Sequence, residues 1–238
     1  MFRFALRDIA AITPWGPETA PSLSWFSLSD GWYWLQLGGQ QVLRVAAASD
    51  ANPPYLDYQV ARLWEDLLDL LPRVLAPLPS DVAAELRDEE GWLKHLEGEL
   101  LQDDQNVMSF WWWRQLDLPH LSAPPRIWFW RDGDDLRVLW RPARPDRGHW
   151  AHASGTLMLP VATFLEEVRS FDRAFLSGMR ERVQRVIKAG GIPGVDVNLA
   201  HLEHGQLDRE TWLENALSRP APDEDWEAVR RFLAASRA

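Results

Sequence analysis

Between residues 161 and 188, Phe164, Leu165, Val168, Phe171, Phe175, Met179, Val183, Val186 and Ile187 recur at helical spacing. One face of an α-helix repeats at about 3.6 residues per turn, and this stripe follows it. A helix this long with one apolar face cannot stand alone, so the rest of the chain must supply a layer for it to cover. Pro160 sits where a first helical turn would start, and Gly190-Gly191 with Pro193 stops the element.

That layer is expected from short strands. Residues 2–7 (FRFALR) alternate apolar and polar, as a half-buried strand does. LSWFSL (23–28) and WYWLQL (32–37) flank Ser29-Asp30-Gly31, which reads as a hairpin whose glycine supplies positive φ. Gly38-Gly39 then turns the chain into QVLRVA (41–46), giving a three-strand meander. RIWFWR (126–131) and LRVLWR (136–141) flank Asp132-Gly133-Asp134-Asp135 as a second hairpin, and 149–159 adds a strand to it.

A second amphipathic helix is expected over 56–71, where Leu56, Val60, Leu63, Trp64, Leu67, Leu68 and Leu71 share one stripe, with Pro72 as its stop. Residues 80–104 read as one or two acidic helices opened by a Ser80 cap, and 107–118 fits either a helix or a strand. Further helices are expected within 199–218 and 224–236. The class is therefore α+β: antiparallel strands from two hairpin regions packed against long amphipathic helices, with a helical C-terminal tail. We read residues 1–238 as a single domain, strand-rich over 1–50, helical and acidic over 53–105, strand-rich over 107–159 and helical over 160–238. Trp64, Leu67, Phe164, Val168, Phe171 and Phe175 are expected to pack on the sheet.

Charge narrows the function classes. Residues 1–105 carry seventeen acids against seven bases, within a chain whose net charge is −10. Phosphate backbones need a basic footprint, so no nucleic-acid partner is expected; a basic protein partner is permitted. Cysteine is absent, which removes disulfides and thiol nucleophiles. No apolar run of about 18 residues offers a membrane span, the opening MFRFALRDIA lacks an export signal, and a cytoplasmic location with no membrane partner is expected.

Catalytic motifs do not assemble. His201 and His204 share a helical face but lack a nameable third ligand; His149 and His152 straddle a strand. Gly190-Gly-Ile-Pro-Gly194 has no Walker lysine. No metal, no cofactor and no catalytic residue is assigned, and the enzyme question leans to no. The arginines of the long helix, Arg169, Arg173, Arg180, Arg182 and Arg185, read as a solvated face.

The remaining signal is a surface. Between 81 and 104, Asp81, Glu85, Asp88, Glu89, Glu90, Glu97, Glu99, Asp103 and Asp104 face only Arg87 and Lys94. Beside them Trp111, Trp112 and Trp113 cannot all be buried in one regular element. An outward tryptophan next to a charged patch is the composition of a binding hot spot, so Glu85, Asp88, Glu89, Glu90, Glu97, Glu99, Asp103, Asp104, Trp111, Trp112 and Trp113 are the candidate partner-binding set.

The strings LSWFSLSDGWYWLQLGG (23–39) and PPYLDYQVARLWEDLLDLLPRVL (53–75), with WWWRQLDLPHL (111–121), RIWFWRDGDDLRVLW (126–140) and DEDW (223–226), resemble an uncharacterised bacterial single-domain family. The resemblance implies bacterial origin and carries over no activity and no site residue. The functional expectation is a cytoplasmic protein-binding protein, of which an immunity protein neutralising a toxin is one form. Alternatives are a carbohydrate- or small-ligand-binding protein or hydrolase with a tryptophan-lined cleft, and a structural or regulatory subunit.

Overall fold

The computed structural model describes residues 1–46, 53–96, 105–118, 120–121, 124–142 and 150–236. Two antiparallel sheets and a set of helices make an α+β fold. In the first sheet, β2 (Asp30–Leu37) is central, with β1 (Phe2–Leu6) on one side. On the other side, β4 (Leu56–Gln59) and β3 (Gln40–Val42) lie end to end along it. The second sheet is the meander β5 (Arg126–Asp132), β6 (Asp135–Arg141) and β7 (Gly155–Pro160).

Alternation along β2 places Tyr33, Leu35 and Leu37 in the core while Trp32, Trp34 and Gln36 stay half-buried. β5 obeys no such alternation, because both its faces are covered. Ile127 and Phe129 enter the main core; Trp128 and Trp130 enter a second core on the opposite face. A strand buried on both faces reads as an unbroken apolar run, which is what RIWFWR is.

Two long helices cover the main core. α6 (Val161–Lys188) spans the residues its stripe predicts and buries Phe164, Val168, Phe171, Phe175 and Met179. α2 (Val60–Val74) buries Leu63, Trp64, Leu67 and Leu71, and both helices touch strands of both sheets. The second core lies among α3 (Ser80–Glu85), α4 (Glu89–Leu96), α5 (Gln105–Trp112) and α9 (Trp226–Ala235), with Trp92 stacked on Trp111 at 4.2 Å. α7 (Leu199–Arg209) packs on α6, and α8 (Trp212–Ser218) on α2.

Several expectations give way. Residues 23–28 are no strand: Trp25–Leu28 form the short helix α1. Ser24 Oγ accepts from the Ser27 N–H while Ser27 Oγ accepts from the Ser24 N–H, and these reciprocal caps stabilise a helical start. Trp25 is then anchored by donating Nε1–H to Gln206 at 3.0 Å. With no hairpin at Asp30-Gly31, Gly31 serves as close packing instead, since a Cβ there would lie 2.2 Å from the Ala5 carbonyl oxygen of β1. The Gly38-Gly39 turn is real, with φ of +52° and +82°, but the strand after it ends at Val42.

The helix expected over 56–71 begins at Val60, because Leu56–Gln59 pair with Asp30–Tyr33. It passes through Pro72 to Val74; near a helix end a proline removes only one intrahelical bond. Pro79, not Ser80, occupies the N-cap of α3, and Pro160 ends β7 instead of entering α6. The third strand of the second sheet starts at Gly155. Residues 199–218 divide into α7 and α8 at Glu210-Thr211. Arg182, expected on a solvated face, is buried and donates to the carbonyls of Leu28 and Arg7, tying α6 to α1 and β1.

Candidate functional site

Four side chains of α2, Arg62, Glu65, Asp66 and Asp69, fall at i, i+3, i+4 and i+7 and so share one flank of the helix. Asp66 is buried and Leu70, one turn on, lies beside it. Facing this flank is the chain leaving α5. Val107, Phe110 and Trp111 turn into the second core, which forces Met108 and Trp112 outward at i and i+4, and Trp113 follows. Trp112 is 57% exposed and Trp113 46%; with Met108 they are three of the six large apolar side chains left exposed among the described residues.

The next residues fix this geometry. Arg114 O accepts from the Phe129 N–H at 2.8 Å and the Leu116 N–H donates to Ile127 O at 2.9 Å, so residues 114–116 are laid along β5. Arg114 itself is buried, over the Phe110 ring at 4.2 Å and donating to Glu224 at 2.7 Å, which docks the segment before α9 against the end of α5. Burial holds its guanidinium below the usual arginine range.

Together Arg62, Glu65, Asp66, Asp69, Leu70, Gln115 and Asp117 line a cleft of about 140 Å³, with Trp112 and Trp113 at its edge. Arg62 forms an ion pair with Asp66, Nε to Oδ1 at 3.1 Å, and donates Nη2–H to Asp117 Oδ2 at 3.1 Å. The second oxygen of Asp66, Oδ2, is buried without a hydrogen-bond partner. Burial pushes the Asp66 carboxyl up to about 8, with Arg62 opposing and Asp117, Glu65 and Asp69 adding to the rise. Burial also raises Glu65, although Arg209 lies 3.6 Å away.

Nearby, the Tyr33 hydroxyl and His120 Nε2 share a hydrogen bond at 3.0 Å, and the His120 ring stacks on Tyr58. Burial, then Arg62, holds His120 below its usual range; burial and the Asp66 charge raise Tyr33. Two larger hollows adjoin the cleft. One, about 280 Å³, shares Trp113 and adds Arg73, Asp223, Glu224 and Asp225; the other, about 410 Å³, shares Glu65 and Asp69 and adds Trp212 and Arg219.

The residues named from the sequence are distributed differently. Trp111 is buried against Trp92 and Phe232 and leaves the surface set, while Trp112 and Trp113 stay on it. Asp88 and Glu90 are exposed; Glu85 and Glu89 are half-buried, with Glu89 3.7 Å from Arg141. Asp81 pairs with Arg230 at 2.5 Å. Glu97, Glu99, Asp103 and Asp104, like His149, lie outside the described residues. His201 and His204 both face outward on α7, His152 is buried with Nδ1 near the Ala153 carbonyl, and no group of three or more metal-ligating side chains occurs among the described residues. The cleft acids Glu65, Asp66, Asp69 and Asp117 are absent from the sequence-derived set. Their one local signal is an acid on the margin of the α2 stripe.

Fold and face together define an α+β protein with two aromatic cores and an acidic, tryptophan-edged cleft. The chain belongs to the family of unknown function DUF5984, whose model matches residues 1–232. No curated protein and no solved structure matches it. No helix among the described residues is long and apolar enough to cross a membrane.

Proposed function

We propose that this is a protein-binding protein that captures a basic macromolecular partner through the acidic face edged by Trp112 and Trp113, in the manner of an immunity protein that neutralises a toxin. The observation that carries the reading is the outward pair Trp112, at the end of α5, and Trp113, with Arg73 4.5 Å over its ring, beside carboxylates on α2 and ahead of α9. Rigid aromatic side chains that desolvate on contact supply most of the energy of a typical interface, and surrounding charge accelerates encounter. Exposed Asp88, in the link between α3 and α4, and exposed Glu90 on α4 add to the negative charge. A cytoplasmic location belongs to this reading and rests on the sequence expectation.

The test is capture from extracts of the encoding cells with the wild-type chain and with a Trp112→Ala, Trp113→Ala double variant. The reading requires a basic protein retained by the first and lost by the second, reconstituted as a purified pair. The neutralising form further requires that the captured partner arrest growth when expressed alone and that co-expression of this chain restore it. Retention of the same proteins by both variants would sink the proposal.

A second reading, a small-ligand hydrolase, draws on Asp66, whose carboxyl is partly protonated near neutrality beside Asp117. A carboxyl that keeps its proton near neutrality suits the general-acid role in glycoside chemistry. It ranks second because the cleft holds about 140 Å³, against the roughly 300–1,000 Å³ of ordinary ligand pockets.

A further inference from the structure

The second sheet is open along one side. Its β5 edge is covered, since Arg114 and Leu116 bond to that strand and Pro77 bridges Arg131. The outer edge of β7 has no strand and no backbone partner among the described residues. The groups left free can be named. Val161 N–H donates to Asp134 O at 3.0 Å, in register with the β6–β7 ladder, so alternation makes Leu159, Leu157 and Gly155 the residues that bond to β6. Thr156 and Met158 therefore turn their N–H and C=O groups outward. Pro160 turns its carbonyl outward too, and its missing N–H takes no bond from β6.

Two further observations mark this edge. Edge strands are commonly guarded by charge, as β1 is by Arg3, yet no Asp, Glu, Lys or Arg stands between Arg147 and Glu166 in a chain of net charge −10. The strand is also apolar on both faces: Met158 is 54% exposed on one, and Leu157 and Leu159 are only half-buried on the other.

We propose that β7 pairs with β7 of a second copy of this chain, antiparallel about a two-fold axis at Leu157, joining the two sheets into one. This goes beyond the capture reading and does not rest on it. The register sets Thr156 opposite Met158 of the second copy, where each N–H donates to the other's carbonyl. Pro160, with no N–H to offer, falls opposite Ser154 of the second copy, whose N–H meets the free proline carbonyl. A register centred on Met158 would instead set Pro160 against Thr156 and leave the Thr156 carbonyl without a donor. Charge agrees with the Leu157 register: Asp135, paired with Pro160 in β6, comes into the row of Arg141 at the far end of the second copy's β6. An isologous contact needs a surface that tolerates its own image, which an uncharged strand does. A strand from a basic partner would find no carboxylate along this edge.

Sedimentation of the full chain over a range of concentrations tests the proposal. A strand-edge contact is small, so dimers forming with Kd on the order of 10 µM are expected. Thr156→Pro removes an outward N–H while sparing the bonds to β6, and Met158→Lys sets a cation beside the axis. Each should weaken the dimer by about tenfold or more at an unchanged melting temperature. Met158→Lys, at an exposed side chain, decides alone if the proline disturbs folding. A wild type that stays monomeric at about 100 µM, or a dimer equally strong in Met158→Lys, overturns the proposal. A monomeric wild type whose captured partner is lost in Met158→Lys would mean that the edge receives a strand of that partner, and overturns the second copy as its occupant.

Discussion

Asp66 is a carboxyl whose burial is offset by one arginine and by nothing at its second oxygen. Its pKa in the folded protein, about 8, lies above the ordinary carboxylate value, so the folded state holds the proton more firmly than the unfolded state does. Stability must therefore fall as pH rises from about 4 towards 8, because ionisation is easier in the unfolded chain. Glu65, raised in the same direction, contributes likewise, so the difference between two proteins isolates Asp66. Facing it are Arg62, Glu65 and Asp69 on α2, Asp117 beyond α5 and Tyr33 on β2. Urea unfolding of wild type and Asp66→Asn at pH 5 and 8.5 should show the wild type losing on the order of 2 kcal/mol more than the variant across that interval. Parallel losses would mean that Asp66 ionises freely. The sequence could mark Asp66 only as an acid four residues from both Arg62 and Leu70; its orphaned oxygen depends on how residues 112–117 fold over it.

At the scale of elements, periodicity was a sound guide wherever one face is buried continuously. Helix α6 follows its stripe from Val161 to Lys188, and the β5–β6 hairpin falls where Asp132-Gly133-Asp134-Asp135 breaks two apolar runs. It failed where a short cap overrides composition. LSWFSL has the residues of a strand, yet two serine hydroxyls three apart turn it into α1, and Leu56–Gln59 continue a helical stripe while serving as an edge for β2. The glycines separate these cases. Gly31→Ala places a methyl group against the Ala5 carbonyl and should cost about 1–3 kcal/mol in unfolding free energy, as overpacking does. Gly39→Ala, at φ +82° with open space around it, should cost about 1 kcal/mol. Unfolding of the two variants decides: a harmless Gly31→Ala would contradict the close approach of β1 to β2.

The whole molecule is two aromatic cores on either side of the second sheet, and the candidate face is the surface of their junction. Its parts come from α2, from the end of α5, and from residues 223–225 before α9, the last held by the Arg114–Glu224 pair. No local window contains such a face, which is why the sequence pointed to the acids of 81–104 and to Trp111, now buried, while passing over Glu65, Asp66, Asp69 and Asp117. The triplet's partition between core and solvent was legible only as the impossibility of burying all three. The central claim is that charge brings the partner in and the outward indoles hold it. Stopped-flow kinetics of the reconstituted pair test this most directly, comparing wild type, Trp112→Ala, and an Asp88→Lys, Glu90→Lys variant at low and high salt. The account predicts that Trp112→Ala speeds dissociation by about tenfold or more with association within about twofold, and that charge reversal slows association and flattens its salt dependence. Association and dissociation rates equal to wild type in both variants, at both salt concentrations, would contradict it.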